Sequence, residues 1–209
     1  MKIGIIGSGD IGGSLGRLWA QAGHEVFFSS RHPEQLSGLV EQAGKCAQVG
    51  TAEEAIAFAD IILEAIPFSA TMSLPADALA GKTLITASNY YPQRDGEIEI
   101  DADSQSEALA KQLPDPTVIK AFNMMFAEEM EARANGETAE ALAIFYAGDD
   151  ESAKETVAGL IELAKFTPVD AGSLANGRYF QNGEPLYAQR WSRAKALQEL
   201  AAISDKDAY

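Results

Sequence analysis

The 209-residue chain has one cysteine and two histidines, and no apolar run in it approaches the ~20 residues that cross a bilayer. A single thiol excludes an internal disulfide, so nothing points to an oxidising compartment. Cys46, just ahead of Ala47-Gln48-Val49-Gly50, reads as a buried structural thiol. The first residues carry neither the basic segment nor the cleavage site of a secretory signal, and the first strand begins at residue 2; the expected location is cytoplasmic, with no membrane partner. Positive charge is also scarce. Lys and Arg number 16 against 31 Asp and Glu, a formal net charge of −15, which excludes a nucleic-acid partner and means that any anionic ligand is held by local donors against the global field. No metal site is expected.

The length allows one sizeable core with a small extra lobe, not two full domains. With 46% hydrophobic and 22% charged residues, disorder is excluded.

What is present begins at residue 2. Ile3, Ile5 and Ile6 form an apolar strand, Gly7-Ser8-Gly9-Asp10-Ile11-Gly12 form a glycine turn, and Ile11, Leu15, Leu18 and Trp19 recur at helical spacing. In such a turn Gly7 lets the chain reverse, Gly9 lets backbone approach a pyrophosphate, and Gly12 lets the helix pack on the strand. The N–H groups at the helix start then hold phosphates. The pattern is that of a dinucleotide-binding βαβ unit.

The second strand selects the dinucleotide. After Glu25 to Phe28, where an NAD site places Asp or Glu against the ribose hydroxyl, this chain places Ser29, Ser30, Arg31 and His32. A carboxylate repels a 2′-phosphate, whereas a guanidinium fork matches it and serine adds a neutral donor. The cofactor predicted is NADP, with His32 either stacked on adenine or starting the turn at Pro33.

Helical and extended stretches alternate onward, which predicts an α/β fold: a Rossmann-type, doubly wound, mostly parallel sheet. Residues 1–123 are expected to form the NADP-binding domain and 124–209 a small C-terminal α/β lobe for acceptor binding and dimer contact. Helix is expected over Pro33 to Gly44, and amphipathic helix after Arg178 through Leu200. Open parallel sheets bind ligands beyond their strands' carboxyl ends. Those ends carry Ala65-Ile66-Pro67, Ser88-Asn89 and Asn123, all expected to face the nicotinamide. Tyr90, Tyr91, Phe68, Met124 and Phe126 are candidate apolar walls for a flat ligand. Residues 172 to 191 are expected to floor the acceptor pocket or make the dimer contact.

On GSGDIGGSLGR (7–17), SSRHPE (29–34), VIKAFN (118–123) and TPVDAGSLANGR (167–178), the chain resembles the NADPH-dependent coenzyme F420 (deazaflavin) reductases. It is also similar to the soluble NADPH-binding domain of the STEAP (six-transmembrane epithelial antigen of prostate) metalloreductases. The resemblance implies hydride transfer between NADPH and a flavin-like ring, F420 or FAD/FMN, often in a homodimer. By matching position it implies Ser8 to Ile11 at the phosphates, Ser30 and Arg31 at the 2′-phosphate, Ile66 and Pro67 beside the nicotinamide, and Asn123 after the VIKAFN strand. Gln35 replaces a basic residue often found there, and SNYYPQRDG departs from the deazaflavin reductases.

A carbonyl reductase needs a proton donor beside the developing alkoxide, and no such dyad is evident; Lys120 reads as a structural anchor. A flavin-like ring delocalises the arriving charge itself, so stacking suffices. Two alternatives stay open: a reductase of a small imine or ketone, and a non-catalytic NADPH-sensing protein.

Overall fold

The computed structural model describes residues 1–115, 117–138 and 140–207. Strands β1 (Lys2–Ile6), β2 (Glu25–Ser29), β3 (Ala47–Gly50), β4 (Ile61–Glu64), β5 (Thr83–Thr86), β6 (Thr117–Lys120), β7 (Ala143–Gly148) and β8 (Thr167–Asp170) form one sheet ordered β3-β2-β1-β4-β5-β6-β7-β8. All neighbouring pairs are parallel except β6 and β7, which run antiparallel. The fold is a Rossmann-type α/β sheet. The chain builds outward from β1 to β3, then returns to place β4 on the other side of β1. The carboxyl ends of β1 and β4 therefore flank the point where winding reverses, which opens a crevice there.

Helix α1 (Asp10–Gln21) buries Leu15, Leu18 and Trp19 on one face, as the helical spacing of these residues dictates. Trp19 is fully buried; its indole N–H donates to the Leu160 carbonyl at 2.9 Å, and its ring meets Phe122 edge-on. Helices α2 (Ser37–Ala43) and α3 (Ala52–Phe58) cover β1 to β3. The latter starts on a capping box in which Thr51 and Glu54 satisfy each other's backbone N–H groups. Short helices α4 (Phe68–Thr71), α5 (Ala76–Leu79) and α6 (Pro92–Asp95) follow β4 and β5, and α7 (Gln105–Ala110) has a second capping box at Ser104 and Glu107. Helices α8 (Ala127–Ala134), α9 (Glu151–Leu163) and α10 (Arg193–Asp207) complete the chain. Among the described residues no helix is long and apolar enough to cross a membrane.

Three details differ from expectation. The helix from Pro33 begins as a 3-10 turn, Pro33–Leu36, before the α-helix proper. Cys46 is half-buried at the core's edge rather than enclosed. Helix after Arg178 is overturned: a 3-10 segment, Leu174–Tyr179, leads into turns, and helix resumes only at Arg193. Gly183 (φ 89) and Ala188 (φ 56) hold left-handed backbone and Pro185 lies between them, a combination no helix accommodates.

Candidate functional site

The β1–α1 turn is shaped by two glycines. At Gly7 (φ 92) a Cβ would stand 2.5 Å from the Ile66 side chain and 2.7 Å from the Ala65 carbonyl oxygen; at Gly12 it would collide with the Gly7 carbonyl. Turn, helix and the end of β4 are thus locked together by backbone contact. Gly9 differs: nothing lies within 4 Å of the point a Cβ would occupy. As N-cap of α1 it contributes no side-chain cap, so the leading N–H groups of the helix lack a side-chain partner at the positive end of its dipole. The Ser8 hydroxyl is buried without a hydrogen-bond partner among the described residues, while its N–H donates to the Ser29 carbonyl at 3.2 Å. Asp10, exposed, opens the helix, and Ile11 follows it into the crevice.

Gly7, Ser8, Gly9, Ser30, Arg31 and Ile66 line a cavity of about 520 Å³. At its β2 side the Ser29 hydroxyl is used structurally, donating to the Ile5 carbonyl at 2.7 Å. The Ser30 hydroxyl accepts the His32 N–H at 3.0 Å, which bends the chain and leaves its own hydrogen free to donate. Arg31 makes no hydrogen bond or ion pair among the described residues. His32 stands outside this lining, its ring 3.4 Å from the Glu34 carboxylate.

A second cavity, about 310 Å³, shares Ile66 and Pro67 with the first and continues over Ala65, Ser88, Asn89 and Asn123. Here two asparagines fix each other. The Asn123 side-chain N–H₂ donates to Asn89 Oδ1 (3.0 Å) and to the Phe180 carbonyl (2.8 Å), and Asn89 Nδ2 donates to the Asn123 carbonyl at 2.8 Å. With both acceptors on its nitrogen side, the Asn123 amide has one workable orientation, and Oδ1 is left buried with no partner among the described residues. Phe122 precedes it at φ 63, a left-handed conformation rare for a bulky residue, and this bend brings Asn123 to the cavity.

The loops around this cavity are pinned by Asp95. Its side chain is buried and accepts from the Ser69 N–H and hydroxyl, the Tyr91 N–H and Arg94. Burial pushes its pKa up, but these donors outweigh burial and hold it at about 2. Arg94 also donates to the Asn89 carbonyl at 2.7 Å, with its guanidinium over the Tyr91 ring. The Tyr91 and Tyr187 hydroxyls meet at 2.8 Å at the cavity wall. Burial and then that hydrogen bond push the Tyr187 hydroxyl well above the usual tyrosine range.

Of the expected walls, Tyr91 and the exposed Phe126 line the cavity, whereas Phe68 and Met124 are buried in the core and Tyr90 packs on Phe68. Sequence reasoning missed Arg94, Asp95, Tyr187 and the Phe180 carbonyl. The first two lay in view in PQRDG, a turn with an acid beside a base; the last two carry no local signal. Among the described residues, no cluster of His, Cys, Asp or Glu is placed to hold a metal ion.

Residues 2–90 match the family described as NADP oxidoreductase, coenzyme F420-dependent. Metalloreductase STEAP3 of Rattus norvegicus is 37% identical over 180 residues, covering 85% of this chain and 35% of that protein. Human metalloreductase STEAP2 is 29% identical over 189 residues, covering 87% and 35%. The chain thus spans about a third of the length of these curated relatives. A hypothetical protein of Sinorhizobium meliloti, SMa0349, superposes with a TM-score of 0.76 at 26% identity, covering 92% of this chain and 95% of that one. Through residues 2–90 the chain is thus similar to the coenzyme F420-dependent NADP oxidoreductase family, and over most of its length it is similar to the metalloreductases.

Proposed function

We propose that the protein binds NADPH and exchanges hydride between its nicotinamide and a flavin-like planar acceptor, F420 or FAD/FMN. The observation that carries this reading is the pair of cavities joined at Ile66 and Pro67, with unpaired Arg31 at one end and the unpartnered Asn123 Oδ1 at the other. The orphaned Ser8 hydroxyl, open Gly9 and uncapped helix start fit a pyrophosphate, and Ser30 with Arg31 fits the 2′-phosphate. Asn123 Oδ1 accepts only, so it suits the carboxamide N–H₂ or a ring N–H. Ala65, Ile66 and Pro67 offer an apolar edge for the nicotinamide. NADPH supplies the hydride; the chain's own residues hold the two rings together and exclude water.

Under the same reading, residues 124–209 form the lobe that carries acceptor contacts through Phe126 and Tyr187, and residues 172 to 191 floor the acceptor pocket or make the homodimer contact. Sedimentation that gives a monomer still active toward flavin removes the dimer. His32 belongs to the adenine end only if its ring leaves Glu34.

The Tyr91–Tyr187 hydroxyl pair favours a second reading, reduction of a small imine or ketone, because a hydroxyl at the cavity wall is a proton donor for such a product. NADPH oxidation is followed with F420, FAD, FMN, an imine and a ketone offered separately. Turnover with the planar rings is expected. Turnover with the imine or ketone alone selects the second reading, and tight NADPH binding with no turnover selects a sensor.

A further inference from the structure

Glu64, Thr86 and Lys120 are the last residues of β4, β5 and β6, and the sheet register sets them side by side. All three are at most 1% exposed. Each is followed within three residues by a group of the second cavity: Ala65 and Ile66 after Glu64, Ser88 and Asn89 after Thr86, Asn123 after Lys120. The Glu64 carboxylate accepts the Thr71 hydroxyl at 2.6 Å through one oxygen, and its other oxygen has no hydrogen-bond partner among the described residues. Thr86 and Ser88 share a hydroxyl contact at 3.2 Å beside it. The Lys120 ammonium donates to the Ser88 carbonyl.

An acid and a base buried in a central sheet are a poor way to gain stability. Well-packed apolar residues of the same volume usually serve as well or better, so an arrangement of this kind points to a geometric task. The geometry here supplies one. A peptide unit is planar, so fixing the Ser88 carbonyl also fixes the N–H and Cα of Asn89, the point from which its side chain leaves the strand end. Asn89 in turn holds Asn123 in its single orientation.

We propose that the Glu64–Lys120 row is a positioning device: Lys120, set across Thr86 from Glu64 in the buried row, fixes the Ser88–Asn89 peptide and through it the Asn123 acceptor that meets the nicotinamide. The inference rests on the cofactor reading above. Lys120 is a positioning residue and touches no ligand.

The test uses the full chain, wild type and two variants: Glu64→Gln/Lys120→Met, which removes the acid and the base together, and Glu64→Gln alone. Affinities for NADPH and for 2′,5′-ADP, which carries only the adenosine end, are measured by calorimetry, with thermal unfolding alongside. In the double variant 2′,5′-ADP affinity is expected to stay within about 2-fold, while the factor by which NADPH binds better shrinks roughly 10-fold or more. Its unfolding temperature is expected to hold or rise. An unchanged factor in a folded double variant overturns the proposal, and so does a parallel fall of both affinities with the unfolding temperature, which marks a general structural role. Should the double variant not fold, Glu64→Gln decides: a smaller shrinkage supports the proposal and no change overturns it. Failure of the cofactor reading looks different, because wild type itself then binds neither probe, and the inference falls with it.

Discussion

Replacing Arg31 with alanine removes a guanidinium that lines the adenosine end of the crevice and has no partner among the described residues. Loss of one charge-assisted hydrogen bond to a 2′-phosphate corresponds to about 1.5–3 kcal/mol. NADPH affinity is therefore expected to fall by roughly 10- to 150-fold in Arg31→Ala with NADH little affected. Equal losses for both cofactors in a titration reject the role. Asp95 makes a prediction about pH instead. Its folded pKa of about 2 lies below the ordinary carboxylate value near 4. The unfolded chain thus binds the proton first as pH falls, and the stability Asp95 contributes is present above pH ~5 and lost toward pH 2. Asp95→Asn is expected to melt lower than wild type at pH 7 and to show a shallower decline across that acidic window, read by thermal unfolding at several pH values.

At the scale of elements, α1 and the glycine turn act as one body because Gly12 lies against the Gly7 carbonyl. Gly12→Ala forces the two apart, with an expected cost of about 1–3 kcal/mol and several degrees in Tm. Cofactor affinity should drop further than stability alone explains, because the helix start that faces the phosphates moves. These features were legible in sequence: strand, glycine turn and amphipathic helix are local patterns, and the capping box at Thr51 is set by residues three apart. Phe122 was not legible. Nothing in VIKAFN marks a left-handed phenylalanine; the conformation, costing on the order of 1–3 kcal/mol, is held by packing on Trp19 from a distant helix. Arg133 was hidden for the same reason. It is fully buried because the carbonyls of Glu129, Glu140 and Lys165 converge on it and Phe166 lies under its guanidinium.

Across the whole molecule, the second cavity joins residues that the chain keeps far apart. Tyr91 follows β5, whereas Tyr187 lies in the turns before α10, and their hydroxyls meet only because that segment folds back over the strand ends. Tyr187→Phe removes a hydrogen bond worth about 0.5–1.5 kcal/mol. The KM for the acceptor is expected to rise roughly 2- to 10-fold while NADPH affinity is kept, and steady-state kinetics with each substrate varied in turn checks the split. The amphipathic pattern of this segment suggested a helix, and its apolar residues required cover from the sheet or a partner. The structure instead gives turns at Gly183, Pro185 and Ala188, with Leu186 fully buried.

The amino-acid sequence by itself determined the parallel α/β architecture, the glycine turn, and the pairing of Ser30 with Arg31 beyond β2. Each depends on hydrophobic period or on residues adjacent along the chain. Tertiary structure alone decided that β7 runs antiparallel to β6, that Asn89 and Asn123 lock each other beneath the Phe180 carbonyl, and that Glu64 and Lys120 share a buried row. Such contacts depend on sheet order and register, and these are fixed only when all the strands compete for the same core.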